Sequence, residues 1–173
     1  RAAQAGARNI PNVFAQREQL LLAEYPCEQL TPSRGVTIGI PRVLAFWDTL
    51  PFWSTFFRAL GFTVNVSRAS SQKRYEASLS SITSDTICFP AKLTHSHIRS
   101  LVDAGVDRIF MPIITATPSE NPHATRESLC AVVKGYPMVV RSSDNPEKRW
   151  NVSFDTPLFH WHSTQDRSRQ LQT

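Results

Sequence analysis

Residues 36–41 have the sequence VTIGIP, a mostly β-branched apolar run that a proline ends. This pattern predicts a buried strand, because proline cannot continue the hydrogen bonding of a sheet. The next apolar run, residues 44–60, is too long and too aromatic for a strand. We therefore predict a helix that Pro51 opens and Gly61 ends. Residues 62–66 then alternate between apolar and polar side chains, which indicates a second strand.

The following part of the chain continues this alternation of strands and helices. Residues 70–79 predict a polar helix, and residues 91–104 predict another, with Pro90 in its first turn and Gly105 after its end. Residues 107–111 predict a third strand. Strands that are separated by crossover helices indicate a parallel sheet. We therefore predict an α/β fold with a doubly wound, mainly parallel sheet of the flavodoxin-like or Rossmann-like kind.

Both ends of the chain add elements to this core. An apolar pattern over residues 12–23 predicts a short helix, so we divide the chain into an N-terminal helix and linker, residues 1–34, and an α/β domain, residues 35–173. Residues 151–154 predict a last strand, and a C-terminal helix is predicted from Ser163 onward. Because the sequence begins without an initiator methionine, we expect that it was excised from a larger multidomain protein.

Composition and charge restrict the possible partners. The chain has 173 residues, a formal net charge of +5 and a pI of about 9.5. Its arginines are spread along the sequence, whereas nucleic-acid binding needs a clustered basic stripe, so we expect no nucleic-acid partner. No apolar run approaches the roughly 20 residues that span a bilayer, so we expect no membrane partner. Three cysteines without a secretion signal indicate a reduced, cytoplasmic protein.

The strand ends are the places where a ligand is expected. Parallel α/β sheets bind ligands beyond the carboxyl ends of their strands. The predicted ends carry Pro41-Arg42, Ser67-Arg68 and residues 112–114, of which Arg42 is our candidate for cofactor binding. The sequence contains neither the GxGxxG motif of dinucleotide-binding proteins nor a phosphate-binding P-loop. We therefore expect no ATP hydrolysis by this chain, and we do not expect the isolated domain to be an enzyme.

The most informative stretch is SDTICFPAK, residues 84–92. The predicted helix places Cys88 just before a helix N-terminus, where free N–H groups and the helix dipole stabilise a thiolate, the form that attacks or binds metal. Lys92 lies about one turn further and favours the same thiolate. Cys88 and Lys92 are therefore candidate cofactor-binding residues, and Cys88 is a candidate metal ligand. From position alone, a buried structural cysteine is an equally good interpretation.

Cys130 is the second candidate for cofactor binding and metal ligation, although its apolar surroundings alone favour core packing. Two thiolates are too few for an iron–sulfur cluster, so a partner or an unusual ligand would have to supply the rest. His95 and His97 lie two residues apart on a predicted helix. They therefore face different sides and make a poor metal clamp, and we expect them to be hydrogen-bonded or solvated.

Eight short stretches form a recognisable pattern, and together they cover nearly the whole chain in order. They are IGIPRVL at 38–44, LPFWSTFF at 50–57, LGF at 60–62, SDTICFPAKL at 84–93, HSHI at 95–98, GVD at 105–107, GYP at 135–137 and TPLFHWH at 156–162. This pattern resembles a domain of large proteins from anaerobes, the CoA-substrate-specific enzyme activases or 2-hydroxyacyl-CoA dehydratase activator-like proteins.

The resemblance implies an α/β domain of unknown function that follows actin-like ATPase modules in its parent chain. It implies a relationship to the iron–sulfur components of the dehydratases, in which cysteines at loop and helix ends hold a cluster. The implied partners are the ATPase modules of the same parent chain, the dehydratase component and an acyl-CoA. Cys88 and Cys130 match cysteine positions of the family. Relatives often carry a further cysteine in the segment matching residues 110–114, where this sequence has Ile113, which cannot bind iron.

Two functions follow from this resemblance. The first is an accessory domain of an ATP-dependent 2-hydroxyacyl-CoA dehydratase activator-like protein, with an iron–sulfur cluster or an acyl-CoA as ligand. The second is a purely structural or protein-interaction module that links the ATPase domains to a dehydratase partner. Under the first, we predict that Cys88, Ile113 and Cys130 converge around one pocket at the carboxyl ends of the strands.

Overall fold

The computed structural model describes residues 11–119, 121, 123, 128–161 and 164–172. Within these ranges the chain forms helices and strands in the following order: α1 (Val13–Leu22), β1 (Thr37–Ile40), α2 (Phe46–Ala59), β2 (Thr63–Val66), α3 (Gln72–Ala77), α4 (Phe89–Asp103), β3 (Arg108–Phe110), β4 (Ile113–Ile114), α5 (Ala131–Ser143), α6 (Pro146–Trp150), β5 (Ser153–Asp155), β6 (Leu158–Phe159) and α7 (Thr164–Gln170). A single 3₁₀ turn, Leu79–Ser81, lies between α3 and α4.

The central sheet has four strands in the order β2-β1-β3-β5, and every neighbouring pair in it is parallel. Ile38 of β1 pairs with Val64 of β2, and the next residue, Gly39, pairs with Ile109 of β3. Strands β4 and β6 form a separate parallel pair. The prediction of a doubly wound, mainly parallel α/β fold is therefore confirmed.

Helices cover both faces of this sheet. Ile109 is buried in a cluster with Ile98 of α4, whereas the adjacent Phe110 is buried in a second cluster with Trp53 and Phe57 of α2. Successive residues of a strand point to opposite faces, so the two clusters are the two faces of the sheet. Helices α4 and α5 therefore cover one face, and α2 covers the other.

Gly39 lets α4 approach the sheet closely. A Cβ atom at this position would lie 3.0 Å from side-chain atoms of both Leu101 and Val106. Carbon atoms in good contact are about 3.5–4.0 Å apart, so a larger residue would force these buried neighbours to move. The glycine thus fixes the spacing between β1 and α4.

Helix α2 begins earlier than the sequence predicts. It starts at Phe46, so the prediction that Pro51 opens it is wrong, because Pro51 lies inside the helix. Proline has no N–H, which leaves the carbonyl of Trp47 without its helical partner. Arg17 of α1 donates a hydrogen bond to that carbonyl at 3.2 Å. Gly61, with φ of +79°, follows the end of the helix as predicted.

The N-terminal helix and its linker pack against α2. Leu21 of α1 is buried in the cluster on that face of the sheet. The N–H of Leu30 donates to the carbonyl of Ala59 at 2.7 Å, and the N–H of Arg34 donates to the carbonyl of Gly61 at 2.9 Å. In the described part of the chain, none of the helices has the length and apolar character that crossing a membrane requires.

Candidate functional site

Cys88 is the N-cap residue of α4, and it is exposed to solvent. Its carbonyl accepts hydrogen bonds from the N–H groups of Ala91 and Lys92 at 3.1 and 3.2 Å, and its side chain makes no capping bond. The thiol therefore lies at the positive end of the helix dipole. The alternative interpretation, a buried structural cysteine, is wrong for this residue.

Cys130 occupies the equivalent position in α5. It is the N-cap residue of that helix and is exposed, and its carbonyl accepts a hydrogen bond from the N–H of Lys134 at 3.1 Å. The expectation that its apolar surroundings would bury it is wrong. The chain turns there from a short antiparallel bridge between Ala116 and Ser128 into the helix, and this turn leaves the cap residue at the surface.

A lysine follows each of these cysteines by four residues. Lys92 Nζ donates to the carbonyl of Asp85 at 2.8 Å, and Lys134 Nζ donates to Ser128 Oγ at 2.9 Å. Each lysine thus ties the loop before its helix to the first helical turn. The two thiols share the same environment: a helix N-terminus, solvent exposure and a positive charge in the first turn of the helix.

Both helix starts lie toward the carboxyl ends of the strands. Helix α4 leads into β3, and α5 leads through α6 into β5. A helix that connects parallel strands runs back against the strand direction, so its N-terminus lies at the carboxyl edge of the sheet. Helix α5 also packs against both α4 and β4, the strand that contains Ile113. The convergence of Cys88, Ile113 and Cys130 around one pocket stays a prediction.

The cavity at the carboxyl ends of β1 and β3 is small and apolar. It has a volume of about 30 Å³, and its lining includes Pro41, Leu44, Met111, Pro112 and Val133. Such a volume holds about one or two water molecules. It is too small to enclose an acyl group.

An iron–sulfur cluster needs more donors than this edge offers. Cys88 and Cys130 supply two thiolates. In the ranges that the structure describes, no three His, Cys, Asp or Glu side chains are grouped so that they could hold a metal ion. Clusters are normally held by four protein ligands. The residues present therefore fit half of a ligand set, and the described part of this chain does not complete one.

A buried chain of polar side chains joins α4, α5 and α6. His95 Nε2 lies 3.0 Å from the Tyr136 hydroxyl, and His95 Nδ1 lies 2.8 Å from the Asp144 carboxylate. Asp144 also forms an ion pair with Arg149, which donates to Ser81 Oγ at 3.0 Å. Tyr136, His95 and Asp144 are at most 3% exposed. Because their polar atoms bind one another, these side chains fix the three helices in one arrangement.

Burial is the main influence on the pKa of the Tyr136 hydroxyl. It raises this pKa above its usual value, and electrostatic interactions with Cys88 and Asp144 raise it further. The hydroxyl is therefore protonated at neutral pH.

His97 faces away from His95, as their spacing predicts. Its Nδ1 lies 2.8 Å from Ser67 Oγ, and its Nε2 lies 2.9 Å from Ser70 Oγ. Burial, followed by the positive charges of Arg42 and Arg74, lowers the pKa of His97 from 6.5 to about 4. At neutral pH His97 is therefore an uncharged hydrogen-bonding residue.

Arg42 follows β1, but its guanidinium binds groups of this chain. It forms an ion pair with Glu18 of α1, and its side chain is 11% exposed. It also lies over the Trp47 ring, 5.4 Å from the ring centroid. A ligand phosphate would have to displace Glu18 to pair with this guanidinium. A role for Arg42 in cofactor binding stays a prediction, as does such a role for Lys92.

Comparison with known protein families gives a match over most of the chain. The family described as the CoA enzyme activase uncharacterised domain (DUF2229) matches residues 37–173. This chain belongs to that family. The resemblance drawn from the sequence is thereby confirmed. No curated protein and no solved structure matches the chain.

The match to the CoA enzyme activase domain begins at Thr37, the first residue of β1, so α1 lies outside it. It includes both exposed cysteines, Cys88 and Cys130, and the lysines that follow them. The family description assigns no activity to the domain, so the roles of these residues are matters for proposal.

Sequence reasoning about this CoA enzyme activase domain missed Tyr136, Asp144 and Arg149. Tyr136 and Asp144 are 41 and 49 residues from His95, and no local spacing rule joins them. One signal was available in α4. His95 lies on the same helical face as Ala91 and Ile98, and a histidine on a buried face needs polar partners.

Proposed function

We propose that this domain is an accessory module of a cytoplasmic, ATP-dependent 2-hydroxyacyl-CoA dehydratase activator-like protein. Its functional surface is the edge of the sheet near which Cys88 and Cys130 lie. These two residues act there as thiolate ligands of an iron–sulfur centre, and the remaining ligands come from another part of the parent protein or from the dehydratase component. The domain performs no chemistry by itself.

The observation that carries this proposal is the matched environment of the two cysteines. Cys88 and Cys130 are both exposed N-cap residues, and each has a lysine in the first turn of its helix. A structural cysteine gains nothing from such a position, since free thiols usually pack in the core. A thiolate does gain from it, because the free N–H groups of a helix N-terminus stabilise negative charge.

The second candidate is a module that links the ATPase domains to a dehydratase partner without binding a cluster. Two observations favour it. The described residues offer no third metal ligand, and α1 exposes apolar side chains, with Phe14 80% and Leu20 64% exposed. Exposed apolar side chains of this size are typical of contact surfaces.

Anaerobic reconstitution with iron and sulfide separates the two functions. The chain and its Ile113→Cys variant would be reconstituted side by side, followed by iron and sulfide analysis and visible absorbance. We expect little absorbance from the chain itself and a clear gain from Ile113→Cys, because that variant restores a third thiolate. In the Ile113→Cys background, Cys88→Ser or Cys130→Ser should abolish the gain.

Cys27→Ser is the matched control, since Cys27 lies in the linker, where it is partly buried. It should leave the iron content of the Ile113→Cys variant unchanged. Equal and negligible iron uptake by the chain and by Ile113→Cys would contradict the ligand role. A colourless protein that still binds the dehydratase component would then support the linking module.

A further inference from the structure

A groove between α3 and α4, on a different part of the surface from the cysteines, carries a concentration of arginines. Its volume is about 290 Å³, and three of its lining residues are Arg68, Arg74 and Arg99. One carboxylate, Asp103, also lines it. Three guanidinium charges against one carboxylate leave a net charge of +2 in the groove.

Two of these guanidinium groups have no carboxylate partner among the residues that the structure describes. Arg68 is exposed just after β2 and makes neither a hydrogen bond nor an ion pair within the described parts of the chain. Arg74 donates only to Ser71 Oγ, at 3.1 Å from NH1 and 3.4 Å from its backbone N–H. No carboxylate in the described parts of the chain therefore neutralises the charges of Arg68 and Arg74.

The third arginine, Arg99, has a carboxylate partner but keeps most of its donors free. Arg99 donates through Nε to Asp103 at 2.8 Å and lies 5.7 Å from the centroid of the Trp150 ring. The contact with Asp103 uses one of the five N–H groups of the guanidinium, so the other donors remain for a ligand. Asp103 thus orients Arg99 while leaving the outer part of its guanidinium available.

A hydroxyl donor lies among these cations. Ser100 lines the groove and is partly buried, and its hydroxyl bonds to none of the residues that the structure describes. Ser96 and Ser78, by contrast, donate to the carbonyls of Leu93 and Tyr75. Free guanidinium groups beside a free hydroxyl are the donors that bind a tetrahedral oxyanion.

We propose that the groove formed by Arg68, Arg74, Arg99 and Ser100 binds a phosphate group of a small phosphorylated molecule. Arginine is preferred for phosphate because its planar donors match two phosphate oxygens at once. The volume exceeds that of one phosphate group, so the groove also accommodates part of the molecule to which the phosphate is esterified. This site does not depend on the cysteine edge.

A titration of the ¹⁵N-labelled chain, followed by NMR, tests the proposal. The probes are inorganic phosphate, CoA and dephospho-CoA, with sodium chloride at matched ionic strength as the blank. We expect saturable shifts of backbone amides in residues 68–78 and 96–104 with inorganic phosphate. Tighter binding of CoA than of dephospho-CoA would identify the phosphomonoester of CoA as the source, and equal binding of the two would indicate another phosphorylated molecule.

Charge-removing variants decide whether the groove is responsible. Arg68→Gln combined with Arg74→Gln should weaken phosphate binding about tenfold or more, as expected for the loss of two charge-assisted contacts. The matched control is Lys73→Gln, which removes an exposed charge from the same helix outside the groove and should change the affinity less than about twofold. Both proteins are surface variants, and circular dichroism would verify their folding.

Two results would overturn the proposal. One is the absence of saturable shifts with millimolar phosphate. The other is an equal loss of affinity in Lys73→Gln and in the double arginine variant, which would indicate general charge screening. Repeating the titration on Cys88→Ser/Cys130→Ser protein keeps this result separate from the proposed ligand role of the cysteines, because those variants should bind phosphate unchanged.

Discussion

The hydroxyl of Tyr136 binds one nitrogen of His95, while Asp144 binds the other. A buried polar group adds little net stability when it is hydrogen-bonded. It destabilises the fold strongly when its partner is removed, because it is then cut off from water as well. At the scale of single residues, the stability of the region behind Cys88 therefore depends on complete pairing of a few polar atoms.

Tyr136→Phe tests this dependence. The variant keeps the ring and removes the hydroxyl, so it leaves His95 Nε2 buried and unpaired. We expect the free energy of unfolding to fall by about 1–3 kcal/mol in urea denaturation. Tyr75→Phe is the matched control, because the Tyr75 hydroxyl binds no described residue, and it should change stability by less than about 0.5 kcal/mol. Equal losses in both variants would contradict this account of the buried chain.

His97 gives the domain a pH dependence whose sign is fixed by its burial. Its pKa is lowered from 6.5 to about 4, so the unfolded chain binds this proton more readily than the folded one. The contribution of His97 to the unfolding free energy is therefore fully present above about pH 6.5 and is lost as the pH falls toward 4. The full difference corresponds to about 3 kcal/mol.

His97→Gln should flatten the dependence of unfolding free energy on pH between about 6.5 and 4. Glutamine retains hydrogen-bonding groups for Ser67 and Ser70 but does not titrate there. The slope, measured by urea denaturation at several pH values, separates this effect from any overall loss of stability. His123→Gln, which replaces an exposed histidine, is the comparison variant. An unchanged slope in His97→Gln would show that other groups cause the pH dependence.

At the scale of elements, α4 organises both the fold and the candidate site. Cys88 is its N-cap residue, one side of the helix buries His95 against α5, and another side buries His97 against Ser67. The close approach of Leu101 to Gly39 of β1 helps to set the position of α4, and a shift of the helix would move these side chains relative to their partners.

Gly39→Val tests this contact between elements. The added side chain would meet Leu101 and Val106, so we expect a loss of about 1–3 kcal/mol in unfolding free energy. Gly135→Ala is the comparison, because Gly135 lies within α5 and a Cβ atom there would meet nothing within 4 Å. That change should stabilise the protein by up to about 1 kcal/mol. A Gly39→Val protein as stable as the parent would show that α4 can shift without cost.

At the scale of the whole molecule, the N-terminal segment and the matched domain pack against each other. The family match begins at Thr37. Nevertheless Leu21 is buried beneath α2, Glu18 pairs with Arg42, and Arg17 donates to the carbonyl that Pro51 leaves free. The helix before the match therefore covers apolar surface of the domain and satisfies one of its backbone groups.

Leu21→Ala should destabilise the whole chain by about 2–3 kcal/mol, measured as a lower midpoint of thermal or urea unfolding. Leu20→Ala is an ideal control, since the neighbouring Leu20 is 64% exposed while Leu21 is 8% exposed. It should change stability by less than about 0.5 kcal/mol. If Leu21→Ala had no more effect than Leu20→Ala, α1 would contribute nothing to the core.

The sequence by itself determined the parallel α/β fold and the helix that begins after Cys88, because apolar periodicity, Pro90 and Gly105 act over a few residues. It also determined the family, through the short stretches that resemble it. It did not reveal α5, since Gly135 and Pro137 are residues that usually break helices, and packing of Tyr136 and Val140 against α4 outweighs them. Pro51 was misplaced for a similar reason, because a side chain from another helix satisfies the carbonyl it leaves free. The buried polar chain and the arginine groove were decided only by tertiary structure, which brings together groups that are far apart in sequence.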